Sequence, residues 1–202
     1  MSIIQLNSIV LVILLLFPGP LFADITMLNK LPTTTALAFN NPEHFRQFRL
    51  IHDTVMGGRS AGQVDFTEDR QGLVFSGNLS LENNGGFASA EFTLARPLAV
   101  TTLSSLYIDA LGDGRSYQIR LKTPYIPNGV AYVASFDTIT KREHYYIPLS
   151  AFYGQYRGQR VSNLPKLDLA HVSQLSVMLA DKQPGPFSIV LYSVSFAAVD
   201  TI

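Results

Sequence analysis

The chain has 202 residues, its 15 Lys and Arg balance 15 Asp and Glu, and it lacks both cysteine and tryptophan. This length fits a single domain, and a net charge near zero argues against a broad nucleic-acid-binding face, which depends on clustered Lys and Arg. The absence of cysteine excludes disulfides, thiolate zinc sites and a lipidated cysteine anchor.

The first 23 residues carry no charge and contain an unbroken apolar run, residues 9–17, followed by Pro18-Gly19-Pro20 and the small Ala23. This is the layout of a secretory signal peptide that is cleaved after Ala23. The run is short for a permanent anchor, which needs about 20 apolar residues. We therefore predict an exported protein, periplasmic or secreted. The alternative is a protein tethered by an uncleaved N-terminal segment, which would be its only membrane contact.

Residues 24–47 are predicted to form an irregular arm, with one helical turn at 43–48, and residues 48–198 a β-rich domain. Polar and apolar residues alternate along this domain, most clearly over residues 117–122, which is typical of half-buried strands. The other predicted strands are residues 63–67, 73–81, 87–94, 105–111, 130–137, 144–149, 174–179 and 187–196. About nine strands with few helices indicate a single antiparallel β-sandwich or barrel.

The breaks between these strands carry turn residues. Asn84-Gly85 predicts a hairpin, because a type I′ turn needs positive φ at both central residues. Glycine and proline mark further connections at residues 112–114, 127–129 and 183–186. After the helical turn at residues 43–48, short helices are predicted only at residues 150–153 and 168–173.

Six motifs occur in a specific order, at residues 53–60, 75–77, 80–89, 112–115, 156–160 and 181–187. In these motifs the chain resembles the complex I intermediate-associated protein 30 family. The resemblance implies a galactose-binding-domain-like jelly roll and a non-catalytic, chaperone-like role, since mitochondrial members help to assemble respiratory complex I. The chain departs from the family at Glu91, where an arginine is usual. It also carries an export signal in place of a mitochondrial one, and an exported protein would not meet the matrix-side assembly of complex I.

Three loops provide the candidate site: the first glycine loop (residues 53–60), the second glycine loop (residues 81–89) and the third loop (residues 181–185). Asp53 can accept hydrogen bonds from the turn at Gly57-Gly58. Such bonds either lock neighbouring strands together or shape a rim that contacts a partner. The predicted binding residues are Asp53, Met56, Gly57, Gly58, Arg59, Ser60, Asn83, Asn84, Gly85, Gly86, Phe87, Asp181, Lys182 and Gln183.

The sequence gives little support for a serine nucleophile, a metal site or a nucleotide site. Gly58-Arg59-Ser60-Ala61-Gly62 spells the nucleophile-elbow pattern, but that motif needs a strand-to-helix turn, whereas a strand is predicted next. The four histidines are far apart in sequence and no contiguous acidic loop exists, so we predict no metal site. The open alternative is a structural calcium with oxygen donors gathered from Asp53, Asp109, Asp113 and Asp181. With no phosphate-binding glycine loop ahead of a helix, we expect no cofactor and no catalytic residue.

Two further sets of side chains can each be interpreted in two ways. Four arginines could hold an acidic group or simply lie solvated on strands: Arg115, Arg120, Arg157 and Arg160. Loop tyrosines, Tyr125 and Tyr153, could stack on sugar rings, or they could fill the core.

These observations predict a non-catalytic binding module that recognises a protein partner, in a respiratory or envelope complex, through the rim of the three loops. The alternative is a carbohydrate-binding β-sandwich of the cell envelope that holds a glycan with the same rim and the loop tyrosines. A hydrolase acting through Ser60 is a third reading, which we do not expect.

Overall fold

The computed structural model describes residues 35–100 and 105–197. Within these residues lie thirteen strands, named here β1 (Thr35–Ala38), β2 (Phe45–His52), β3 (Ala61–Phe66), β4 (Leu73–Leu79), β5 (Ala88–Leu94), β6 (Ser105–Leu111), β7 (Ser116–Lys122), β8 (Val130–Asp137), β9 (Arg142–Pro148), β10 (Tyr153–Tyr156), β11 (Gln159–Val161), β12 (Gln174–Leu179) and β13 (Gly185–Ala197). Short 3-10 helices occupy Pro42–His44, Asp53–Met56, Glu82–Asn84, Leu149–Ala151 and Leu169–His171. In this part of the chain no helix is long and apolar enough to cross a membrane. The predicted signal peptide, residues 1–23, lies outside the described residues.

The strands form two antiparallel sheets. One sheet has six strands in the order β3-β4-β13-β6-β9, with β1 also paired to β13. The other has seven strands in the order β11-β10-β8-β7-β12-β5-β2. The predicted fold class, an antiparallel β-sandwich of the jelly-roll type, is confirmed.

The core lies between the two sheets because side chains alternate along each strand. In β7, Tyr117, Ile119 and Leu121 are fully buried, whereas the polar residues between them are partly exposed. From the six-stranded sheet, Phe75 joins the same core and packs edge-on against Phe187, with 5.0 Å between ring centroids. The same alternation therefore lays a row of polar side chains on the outer face of the seven-stranded sheet.

The N-terminal arm differs from the prediction. Residues 43–48 were expected as a helical turn, but only Pro42–His44 is helical and β2 begins at Phe45. Strand β1 pairs with β13, so the sandwich includes residues before position 48, its predicted start. The reason is long-range pairing: β2 runs along the whole of β5, a contact that local propensity does not reveal.

The predicted Asn84-Gly85 hairpin is wrong. Strand β4 pairs with β3 and β13 in one sheet, whereas β5 pairs with β2 and β12 in the other. The connection between β4 and β5 therefore crosses from sheet to sheet. Asn83 takes the left-handed conformation, with φ 54°, while Gly85 has φ −68°, so this is not the turn in which both central residues have positive φ.

We expect Phe75→Ala to lower the free energy of unfolding by about 3–5 kcal/mol, because it removes a fully buried ring from the centre of the core. The matched control is Phe66→Ala on the neighbouring β3, whose ring is 43% exposed, and we expect it to cost less than about 1 kcal/mol. Urea unfolding followed by far-UV circular dichroism measures both, since the chain has no tryptophan. Equal losses would contradict the assignment of Phe75 to the core.

Candidate functional site

A buried carboxylate joins the two glycine loops. Asp53 is completely buried, and its Oδ1 accepts a hydrogen bond of 2.9 Å from the Ser60 amide. Its Oδ2 accepts bonds of 2.6 Å and 3.4 Å from the Gly86 and Phe87 amides, and the Ser60 hydroxyl also donates to it. Burial favours a raised pKa for Asp53, but these hydrogen bonds outweigh it and hold the pKa below its ordinary value.

The loops also contact each other directly. The Asn83 side-chain amide donates to the Gly57 carbonyl at 3.0 Å, and Arg59 forms an exposed ion pair with Glu82 at 3.0 Å. A Cβ placed on Gly58 would lie 2.3 Å from the Asp53 carboxyl carbon, so only glycine fits beside this carboxylate. The first and second glycine loops are thus one structural unit.

The position of Ser60 indicates that this serine has a structural role in the loop unit. Ser60 is buried, its hydroxyl donates to Asp53, and it accepts a bond from the Ser80 amide at 3.0 Å. Strand β3 follows it directly, whereas a nucleophile elbow needs a helix there. Asp53, Gly58 and Ser60, three of the predicted binding residues, are therefore too buried to contact a ligand directly. They hold the rim in place.

A separate ion pair, between Arg115 and Asp181, fixes the third loop. Arg115, at the start of β7, donates to both oxygens of Asp181, at 2.9 and 2.7 Å. The same guanidinium donates to the carbonyls of Gly185 and Pro186, at 3.3 and 3.0 Å, and to that of Gln183. Burial favours a raised pKa for Asp181, but the hydrogen bonds from Arg115 and the Gln183 amide lower it overall.

Between the second glycine loop and the third loop opens a groove of about 540 Å³ on the outer face of the seven-stranded sheet. Its polar lining comes from four strands and two loops: Ser89, Glu91, Gln118, Arg120, Lys122, Gln155, Arg157, Ser176 and Lys182. Its apolar lining includes Ile51, Leu81, Phe87 and Met178. Of the predicted binding residues, Gly85, Gly86, Phe87 and Lys182 line this groove.

The remaining predicted residues lie around the groove. Gly57, Arg59 and Asn83 belong to the exposed outer side of the loop unit. Met56 and Asn84 end the two 3-10 helices of these loops. Gln183 is exposed beside Lys182 in the third loop.

The floor of the groove is a row of residues in register across neighbouring strands. Arg49 of β2 lies opposite Glu91 of β5, Glu91 opposite Ser176 of β12, and Ser176 opposite Arg120 of β7. The Glu91 side chain is only 3% exposed and pairs with Arg49 and, at 2.5 Å, with Lys122. Burial favours a raised pKa for Glu91, but the two cations outweigh it, so the carboxylate is held ionised.

Arg120 occupies the centre of this floor. Its Nη1 donates to the amide oxygens of Gln118, at 3.1 Å, and Gln155, at 2.6 Å. Burial lowers the pKa of this guanidinium from its ordinary value, because a charged group loses hydration there. Among the four arginines considered from the sequence, Arg120 and Arg157 line the groove, whereas Arg115 is engaged by Asp181.

The two tyrosines proposed to stack on sugar rings are not part of the groove lining. Tyr125 is 62% exposed and packs its ring against His171, away from the groove lining. The Tyr153 ring is covered by the Arg160 guanidinium, 4.1 Å from its centroid. Among the described residues, no group of three or more His, Asp or Glu side chains could hold a metal ion.

Comparison with known proteins places the chain in a family. The family model for Complex I intermediate-associated protein 30 (CIA30) matches residues 37–191. The chain belongs to this family. A relative from Schizosaccharomyces pombe, the uncharacterized protein C9E9.15, is 28% identical over 177 residues, which cover 77% of this chain and 81% of that protein.

Solved structures with the same fold include carbohydrate-binding modules. The family 11 module from Clostridium thermocellum, in complex with a β-1,3-1,4-mixed-linked tetrasaccharide, aligns with TM-score 0.57 and 15% identity over 82% of this chain and 95% of the module. An agarase aligns with TM-score 0.53 and 11% identity over 82% of this chain and 25% of the enzyme. At these identities the similarity establishes the fold.

We expect Asp53→Asn to lower the free energy of unfolding at pH 7 by about 2–4 kcal/mol, because the amide cannot accept all the hydrogen bonds that the buried carboxylate receives. The lowered pKa of Asp53 stabilises the fold above the ordinary aspartate pKa of about 3.9, and this contribution is lost as the pH falls through the folded-state pKa. The stability difference between wild type and variant should therefore shrink in acid. Urea unfolding at a series of pH values measures it.

The control for this experiment is Asp137→Asn, which changes an exposed aspartate at the end of β8 and should alter stability by less than about 0.5 kcal/mol. A stability difference for Asp53→Asn that stays constant down to pH 3 would show that the carboxylate charge does not hold the loops.

Proposed function

We propose that this protein is a non-catalytic binding module that holds a glycan in the groove on the outer face of its seven-stranded sheet. The observation that carries the proposal is the convergence of polar side chains from four strands on one groove with a partly apolar lining. Ligand sites in proteins combine these two features, with a few placed polar groups to orient the ligand.

The chemistry of the groove suits sugar hydroxyls. Each hydroxyl can both donate and accept a hydrogen bond, and so it needs donors and acceptors near one another. Gln118 and Gln155 provide amide groups, and Arg120 and Lys182 provide further donors. Phe87, with the other apolar residues of the lining, offers a surface for the C–H face of a sugar ring.

Three further points support this proposal. The fold is that of a family 11 carbohydrate-binding module that was solved with a bound tetrasaccharide. The serine of the nucleophile-elbow pattern, Ser60, is buried and engaged by Asp53, which favours binding over hydrolysis. Export, which the N-terminal sequence predicts, would bring the module to the polysaccharides of the cell envelope.

A protein partner is the second candidate, favoured by membership of a family described as intermediate-associated proteins of complex I. The exposed side of the loop unit would provide its contact, where Arg59 and Glu82 form an ion pair whose side chains are 69% and 62% exposed. If this surface binds the partner, Arg59→Ala should reduce recovery of the partner from native membranes, while the groove variants described next should not.

We expect the mature protein to bind oligosaccharides on a glycan array, and Gln118→Ala and Gln155→Ala each to weaken binding about tenfold, because each removes an amide from the groove floor. Tyr125→Ala is the control, since this exposed tyrosine lies outside the groove, and it should leave affinity unchanged. Isothermal titration with the best array ligand measures the three affinities.

Absence of binding to every polysaccharide on the array would overturn the glycan proposal and leave the protein-partner candidate ahead. If Tyr125→Ala weakens glycan binding and neither glutamine variant does, the glycan binds at the loops and not in the groove.

A further inference from the structure

We propose that the groove selects an acidic glycan, whose uronate carboxylates or sulfate esters bind its excess of cationic side chains. This inference rests on the proposed glycan-binding function and adds the charge of the ligand to it. The sequence as a whole is electrically neutral, so a local excess of one sign is a property of this groove.

The charges of the groove are unequal. Its lining contains four cationic residues, Arg120, Lys122, Arg157 and Lys182, and one acidic residue, Glu91. Arg49 adds a fifth cation at the edge, through its ion pair with Glu91. Five positive charges therefore surround one negative charge, and the net charge of the groove is +4. A cleft lined by one sign of charge concentrates ions of the opposite sign.

Within the described residues, no hydrogen bond joins the groove carboxylate of Glu91 to Arg120, although its charge acts on that guanidinium. Glu91 is engaged by Arg49 and Lys122, one on either side. Arg120 is hydrogen-bonded instead to the amide oxygens of Gln118 and Gln155, which are neutral. A guanidinium that is partly removed from water without a carboxylate partner loses hydration that amide oxygens only partly replace.

An incoming anion would provide that missing partner. The planar guanidinium of Arg120 presents its donors in a fork that matches a carboxylate or a sulfate. Two amides already orient it, so little side-chain freedom is lost when the ligand binds.

The floor leaves room for such a group. Ser176 stands between Glu91 and Arg120 in the row across the sheet, and its small side chain is covered, so the longer side chains around it line the space above. Lys182 lies across the groove in the third loop, and Arg157 lies in the turn between β10 and β11. An acidic sugar seated over Ser176 would have cations beneath it and along both rims.

The experiment compares matched acidic and neutral probes by isothermal titration. Oligogalacturonate supplies carboxylates, sulfated carrageenan oligosaccharides supply sulfate esters, and mixed-linked β-glucan and neutral agarose oligosaccharides supply neither. We expect at least one acidic probe to bind about 10- to 100-fold more tightly than both neutral probes, and the better of the two acidic probes identifies the anionic group.

The variants test whether the groove is responsible. Arg120→Gln and Lys182→Gln should each weaken the acidic probe about tenfold or more and weaken the neutral probes much less, because the neutral probes lose a hydrogen bond but no ion pair. Lys182 is exposed in its loop, so its substitution does not threaten folding. Arg96→Gln is the charge-matched control, an exposed arginine outside the groove lining that should have no effect.

Each contrary result has a definite meaning. Equal affinity for acidic and neutral probes overturns the charge selection but leaves the glycan-binding function standing. Equal weakening by Arg96→Gln and Arg120→Gln also overturns it, because attraction is then a property of the whole surface. Tighter binding of poly-glutamate than of any acidic glycan assigns the groove to an acidic peptide instead. Failure of every glycan to bind overturns the proposed function itself.

Discussion

Two buried carboxylates hold the rims of the groove, and the geometry of the site depends on them. Asp53 fixes the second glycine loop by accepting from the Gly86 and Phe87 amides, and Asp181 fixes the third loop through Arg115. A buried charge is costly unless its hydrogen bonds are complete, so each loop is tied to the position of its carboxylate. Loops held in this way lose little freedom when a ligand binds.

The alternation of side chains connects the core to the floor of the groove. In β7 the residues that face the core are Tyr117, Ile119 and Leu121, so the intervening Gln118, Arg120 and Lys122 must face outward. The same holds in β5, where Glu91 lies between the buried Ala90 and Phe92. The polar floor is thus a geometric consequence of the strands that build the core, and a one-residue slip in register would destroy both.

The sequence predicted nine of the strands, and β6, β8 and β12 have the predicted bounds. It did not predict β1 or β2, which form through partners distant in the chain, nor β10 and β11, whose three or four residues are too short for a pattern to show. For the site, the glycine motifs predicted binding residues that include Gly85, Gly86 and Phe87, which line the groove. They could not reveal that Asp53 is buried, nor that Glu91, Ser176 and Arg120 share a row, because a pattern along one strand says nothing about its neighbours in the sheet.

The protonation state of Glu91 also bears on whether the groove could hydrolyse a bound sugar. Glycosidases generally use two carboxyl groups, and one of them must carry a proton to give to the leaving oxygen. In the lining of this groove the acidic residue is Glu91, and Arg49 and Lys122 hold its pKa below the ordinary value, which keeps it ionised and unable to donate. The cations that would attract an acidic glycan thus also remove the proton that hydrolysis would need. If the groove binds an acidic glycan, binding without hydrolysis in this groove would follow from one electrostatic arrangement.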